Sequence, residues 1–184
     1  MKKCDFCNWR DVANLRDRVF YDDPEWFAFL DAPFHTHGHA VLTMQPDGIH
    51  CPRDIRQVPA SLSTVISKIV KGFDEFYAPR DILIASLRGH IPHIHFHLIP
   101  LWSCEEQEWR LESGHKRGGL MTFLGYLEAR RDERFRRERI RRGWSQKKER
   151  EEIAKSLHHD VEKLNRIIPS QATAALWRAH PDSS

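Results

Sequence analysis

The sequence predicts an α+β fold, a five-stranded antiparallel sheet with one helix packed on a face, followed by a charged helical extension. Three observations predict it. Short runs rich in β-branched and aromatic residues fill Val19 to Met44 and Ile82 to Pro100. Between them, from Ser61 to Tyr77, the apolar residues recur at helical spacing. After Trp102 charge rises, and the later apolar residues recur at the helical period.

Each element has its own warrant. Val19–Tyr21 and Trp26–Leu30 read as two strands of a hairpin, because Asp22-Asp23-Pro24-Glu25 between them supplies turn formers. Pro33 and Gly38 make Ala32–Gly38 a loop, and Ala40–Met44 is a third strand. Four prolines or glycines (Pro46, Gly48, Pro52, Pro59) leave Gln45–Pro59 irregular. Leu62, Val65, Ile66, Ile69, Val70, Phe73, Phe76 and Tyr77 line one face of a helix that stops before Pro79. Ile82–Leu87 and His93–Pro100 are strands four and five, joined by a short loop and therefore expected to be antiparallel neighbours. The order β-β-β-α-β-β makes residues 1–104 one unit. Residues 105–184 are expected to be a helical extension lying outside the sheet. There, Leu120–Ile140 reads as one helix, Gly143 interrupts, and Ser145 caps a second running to about Ile167. Ile153, Leu157, Val161, Leu164 and Ile168 form the stripe of that second helix.

Bulk properties narrow the classes. A chain of 184 residues with 40% hydrophobic content supports one ordinary core. No apolar run nears the roughly 20 residues that span a bilayer. Met1-Lys2-Lys3-Cys4 leads into no apolar stretch of a secretory signal, so the cytoplasm is the expected location. The formal charge is +3, yet Glu128–Arg150 alone holds eleven Lys or Arg against five Asp or Glu. A basic charged helix is foremost a solvated face; contact with nucleic acid is possible but not favoured.

The chemistry concentrates in Gly89-His90-Ile91-Pro92-His93-Ile94-His95-Phe96-His97-Leu98-Ile99-Pro100. In a strand, His93, His95 and His97 share one face, while Ile94, Phe96 and Leu98 share the other and should meet the helix. Adjacent imidazoles can bind a metal, hold a polyanion, or provide a nucleophile with supporting groups. Cys4 and Cys7 have the spacing of metal ligands. A redox Cys-x-x-Cys would open a helix behind a strand, and none precedes Cys4, so zinc is the favoured reading.

These residues resemble the histidine-triad family of nucleotide hydrolases and transferases. The triad His93-x-His95-x-His97 before Pro100 carries the resemblance, supported by Trp26–Met44 with its Gly38-His39 step, and by the Cys4-x-x-Cys7 pair of zinc-binding members. The resemblance spans about residues 4–101. It implies a nucleotide-binding enzyme that cleaves at the α-phosphate, in a dinucleoside polyphosphate, a nucleoside phosphoramidate or a similar ester, through a nucleotidyl-histidine at His95. His97 and His39 support that residue. It places Asp31 near the ribose hydroxyls and Phe29 beside a slot for the base; Ser86 and His90, flanking the loop before the triad, complete the substrate set. It assigns a structural zinc to Cys4, Cys7, His50 and His93. A homodimer is implied as well. Transferase relatives tend to carry glutamine at the third triad position, so histidine at 97 favours hydrolysis. A nucleotidyltransferase, or a non-catalytic binder of nucleotide or nucleic acid, is the alternative.

Overall fold

The computed structural model describes residues 4–31, 36–46, 56, 58–86, 91, 93–102 and 120–168. A 3₁₀ turn at Asp5–Asn8 and a one-turn helix α1 (Ala13–Arg16) lead into strands β1 (Val19–Asp22), β2 (Trp26–Leu30) and β3 (Ala40–Met44). Helix α2 (Leu62–Phe76) precedes β4 (Asp81–Ala85) and β5 (His95–Leu101). Helices α3 (Leu120–Arg142) and α4 (Gln146–Ile167) follow. The strands form one antiparallel sheet in the order β1-β2-β3-β5-β4, so the fold is the expected α+β. The β1–β2 turn is tied by Asp23 Oδ1, which accepts from the backbone N–H groups of Glu25 and Trp26 at 2.8 and 2.7 Å. That is the side-chain mimicry of a turn for which Asp is selected.

Period two divides the sheet into two faces. Ala28, Leu30, Ala40, Leu42, Phe96 and Leu98 meet Val65, Ile69 and Phe73 of α2. On the other face Phe27, Phe29 and Val41 are covered by Phe6, Trp9 and Leu15 from the N-terminal segment. Further along β5 on the side of His95 and His97, Ile99 packs with Phe123, Leu124 and Leu127 of α3. The chain's two ends therefore cover the two parts of the histidine face.

Two expectations are corrected. Strand β5 begins at His95, not His93, so the first histidine of the triad sits at a bend ahead of the strand. Strand β4 ends at Ala85, and Leu87 lies outside the described residues. Helices α3 and α4 lie outside the strand order and pack against the sheet. Leu157, Val161, Leu164 and Ile168 belong to the same cluster as Phe20, Tyr21 and Phe73, and Leu164 is completely buried. The cause is the apolar stripe of α4, which is wide enough to cover β1 and α2 and gains more by burial than by solvation. Local signals in this region were read correctly. Ser145 Oγ accepts from Lys148 N–H as the N-cap of α4, and Gly143 breaks α3 with φ +62°.

Gly72 marks how closely α2 and α4 approach. A methyl group there would overlap the Ile168 side chain. Alanine ordinarily gains about 1 kcal/mol over glycine inside a helix. Gly72→Ala is nevertheless expected to lower the melting temperature, because Ile168 must leave its site; a rise would contradict the packing. A chain ending at Cys104 loses the buried side chains Phe123, Leu124, Leu127, Leu157, Val161, Leu164 and Ile168, at about 1.5–3 kcal/mol each, comparable to or above the whole stability of a domain. It is expected to show no cooperative thermal transition by circular dichroism. A melt within a few degrees of the full chain would show that α4 is dispensable.

Candidate active site and metal centre

The pairing of β3 with β5 builds the site. Thr43 stands opposite His95 and Val41 opposite His97. Thr43 Oγ1 donates to the Ile94 carbonyl at 2.8 Å, which fixes the backbone just ahead of the strand. His95 is 5% exposed, and its Nδ1 lies 2.7 Å from the His93 carbonyl oxygen. A carbonyl can only accept, so Nδ1 carries the proton and Nε2 keeps its lone pair. Ser86 Oγ donates to the His95 carbonyl at 3.0 Å, which ties the end of β4 to the same residue.

His97 is half-buried, and its ring stands 5.1 Å from that of His95 at 73°. Its Nδ1 is 2.9 Å from His39 Nε2, with the two rings stacked 5.1 Å apart. His39 Nδ1 is in turn 3.5 Å from Asp31 Oδ2, and Arg18 Nη1 lies 4.0 Å from Asp31 Oδ1. Asp31, His39 and His97 are close enough together to resemble a metal cluster. Two nitrogens on one zinc at about 2.05 Å would stand about 3.3 Å apart. At 2.9 Å His39 and His97 share a proton instead.

A separate cluster fits zinc. His93 Nδ1 lies 3.6 Å from Cys4 Sγ and 3.4 Å from Cys7 Sγ. Tetrahedral zinc with S at about 2.3 Å and N at about 2.05 Å needs an S···N separation of about 3.6 Å. His93 Nε2 donates to the Met44 carbonyl at 2.8 Å, which leaves Nδ1 as the ligand atom and aims it at the thiols. Burial pushes the His93 imidazole below its ordinary pKa, with the His95 ring acting in the same direction and the Met44 carbonyl opposing. The neutral form is the one a metal takes. Phe6 joins the two centres, presenting an edge to both His93 and His95 at 5.7 Å.

The remaining sequence-predicted residues divide. Phe29 is 3% exposed, beneath Phe6 at 5.6 Å and Arg18 at 5.7 Å, and so belongs to the core of this face. His50 and His90 lie outside the described residues. Sequence reading missed Asp160, which is 4% exposed and accepts from Tyr77 Oη at 3.0 Å and from His37 Nε2 at 2.8 Å. Burial and the Asp160 carboxylate together push the Tyr77 phenol up, so it stays a donor. The available signal was a carboxylate inside the apolar stripe Leu157, Asp160, Val161, Leu164.

The charge of α3 is largely consumed on its own surface. Glu133 pairs with Arg136 and Arg137, Glu138 with Arg141 and Arg142, and Arg139 with Glu149 of α4. Hydrogen bonds from Arg141 and Arg142 hold the Glu138 carboxyl at about 2. A groove of about 790 Å³ between α3 and α4 is lined by these pairs and opens beside His37 and Trp102. It reads as a solvated ion-pair surface.

Comparison with solved structures finds distant similarities. The chain is similar to a HIT family protein from Bacillus anthracis, at 25% identity over 55% of this chain and 75% of that one, with a TM-score of 0.46. A Zn-bound histidine triad family protein from Mycobacterium smegmatis matches at 19% identity over 69% and 91% of the two chains, TM-score 0.45. A HIT family hydrolase from Clostridium thermocellum matches at 16% over 54% and 91%, TM-score 0.40. No family model and no curated protein matches. The class defined by the fold is a five-stranded antiparallel α+β protein, in which Cys4, Cys7 and His93 stand close enough together to hold a metal ion. No helix among the described residues is long and apolar enough to cross a membrane.

Replacing Cys4 and Cys7 together by serine is expected to remove bound zinc in elemental analysis and to lower the melting temperature. Acid should act in the same direction. An imidazole depressed in the folded state takes up its proton more readily when unfolded, so its contribution is intact above the unfolded value near 6.5 and is lost as pH falls below it. A proton on Nδ1 also competes with the metal. The melting temperature should therefore hold above about pH 7 and fall, with zinc release, as pH drops below about 6.5. A flat profile over that range would sever His93 from the metal centre.

Proposed function

We propose that the protein is a nucleotide hydrolase that cleaves at an α-phosphate through a covalent nucleotidyl-His95 intermediate. One observation carries the proposal: the hydrogen bond from His95 Nδ1 to the His93 carbonyl, which commits the buried imidazole to the tautomer with a free Nε2. A neutral imidazole nitrogen is a competent nucleophile toward phosphorus, and a covalent intermediate divides one displacement into two easier ones.

In the first step, His95 Nε2 forms a bond to the α-phosphorus and the bond to the leaving oxygen or nitrogen breaks. The leaving group departs with its electron pair. In the second, water attacks the same phosphorus, the P–N bond breaks, and the nucleoside monophosphate leaves with neutral His95 restored. His97 supplies charge stabilisation. For its Nε2 to donate to a non-bridging oxygen, its Nδ1 must accept from His39 Nε2–H across the 2.9 Å contact. Asp31 Oδ2 lies 3.5 Å from His39 Nδ1, at the far end of this pair.

The ribose is assigned to Asp31, and the polar groups of Ser86 and His90 to the leaving-group side. Zinc on Cys4, Cys7, His93 and His50 would be structural, holding His93 so that its carbonyl faces His95. The proposal includes a homodimer in the cytoplasm, on the strength of the motif resemblance.

His95→Ala is expected to lose about 10³-fold or more in kcat while nucleotide binding survives. In the wild type, a labelled nucleotide substrate quenched in mid-reaction should leave an acid-labile, alkali-stable phosphoramidate on the peptide carrying His95, seen by mass spectrometry. Activity of the variant within tenfold of wild type would overturn the assignment.

A further inference from the structure

We infer that Asp160 of the C-terminal helix is a positioning residue for the triad, acting through His37 on the turn that presents His39. The inference rests on the proposed function for its kinetic test, and on geometry alone for its argument.

Asp160 lies on α4, far from the triad in sequence. Its carboxylate is 4% exposed and receives the Tyr77 hydroxyl at 3.0 Å and His37 Nε2 at 2.8 Å. Burying a carboxylate costs several kcal/mol unless hydrogen bonds and opposite charge offset it. Here the offsetting donors come from the end of α2 and from the turn before β3. Leucine or alanine at 160 would simply continue the apolar stripe of α4. The carboxylate therefore couples α4 to one particular conformation of that turn.

The turn is held at every residue. Thr36 Oγ1 donates to the Pro100 carbonyl at 2.7 Å, and His39 N–H donates to the Thr36 carbonyl at 3.1 Å. Trp102 Nε1 donates to the His37 carbonyl at 3.1 Å, and its ring stacks on His37 at 5.8 Å. Gly38 has φ +80°, and a side chain there would press on Tyr77 and Pro100. The chain of contacts runs Asp160, His37, the Thr36–His39 turn, His39, His97. Asp160 and Tyr77 touch no reacting atom. They fix the ring of His37, and with it the path by which His39 reaches His97 Nδ1. An imidazole displaced by about 1 Å no longer makes a 2.9 Å contact, and misplacement on that scale can cost as much as 10²-fold in rate.

The test is a double-mutant cycle in the full-length zinc-loaded protein with Asp160→Asn, His37→Ala and the pair, following hydrolysis of a nucleoside phosphoramidate. His37 is two-fifths exposed, so its variant is expected to fold even if the one at 160 does not. Each single variant should lose about tenfold in kcat with KM within about twofold, and the pair should lose no more than either alone. Additive losses, or an unchanged kcat in His37→Ala, would overturn the inference.

A second measurement does not depend on turnover. Imidazole ¹⁵N spectra should show the His39 and His97 ring nitrogens shifted in His37→Ala while those of His93 stay in place. Unmoved His39 and His97 signals would refute the positioning role. A wild-type protein that hydrolyses no nucleotide ester would refute the proposed function and leave this spectroscopic result to decide the positioning role by itself.

Discussion

The antiparallel register between β3 and β5 is the constraint on which the rest depends. It puts Thr43 beside His95 and brings the chain end of β3 to the bend at His93. From that one alignment follow the Met44 carbonyl that orients His93, the His93 carbonyl that sets the tautomer of His95, and the placing of His39 against His97. A slip by one residue would turn His95 and His97 to the α2 face and Phe96 and Leu98 to the other. Burial of Leu98, completely covered against α2, opposes that slip.

The three histidines are alike in composition and different in chemistry because their neighbours differ. His93 meets two thiols and gives up Nδ1 to them. His95 meets a carbonyl and keeps Nε2. His97 meets another imidazole and shares a proton. Backbone carbonyls decide two of the three outcomes, so the side chains are distinguished largely by main-chain geometry. Phe6 stacks edge-on against both His93 and His95, which makes the metal knuckle a wall of the site as well as a tether.

The extension belongs to the same mechanical unit. α3 covers Ile99, two residues beyond His97 on the same strand, while α4 closes the opposite face over Phe20, Tyr21 and Phe73. Basic side chains outnumber acidic ones two to one in α3. Arg136, Arg141 and Lys148 pair with a glutamate one helical turn away, and the residues that matter to the core are the few apolar ones beneath.

By itself the sequence determined the elements, the two faces of β5 from Phe96 onward, the Cys4–Cys7 pair, and the breaking Gly143 and capping Ser145 between α3 and α4. These are local properties: alternation, helical period, side-chain caps and the left-handed glycine act over a few residues, and any fold must respect them. The start of β5 was not legible, because His93-Ile94 continues the alternation while its ring is drawn off toward two cysteines nearly ninety residues away in sequence. Which thiol, carbonyl or ring stands beside each of the three histidines was decided by folding alone. The docking of α4 and the contact from Asp160 to His37 were decided the same way. A stripe of apolar residues states that a helix will be buried, and it carries no address for the surface that buries it.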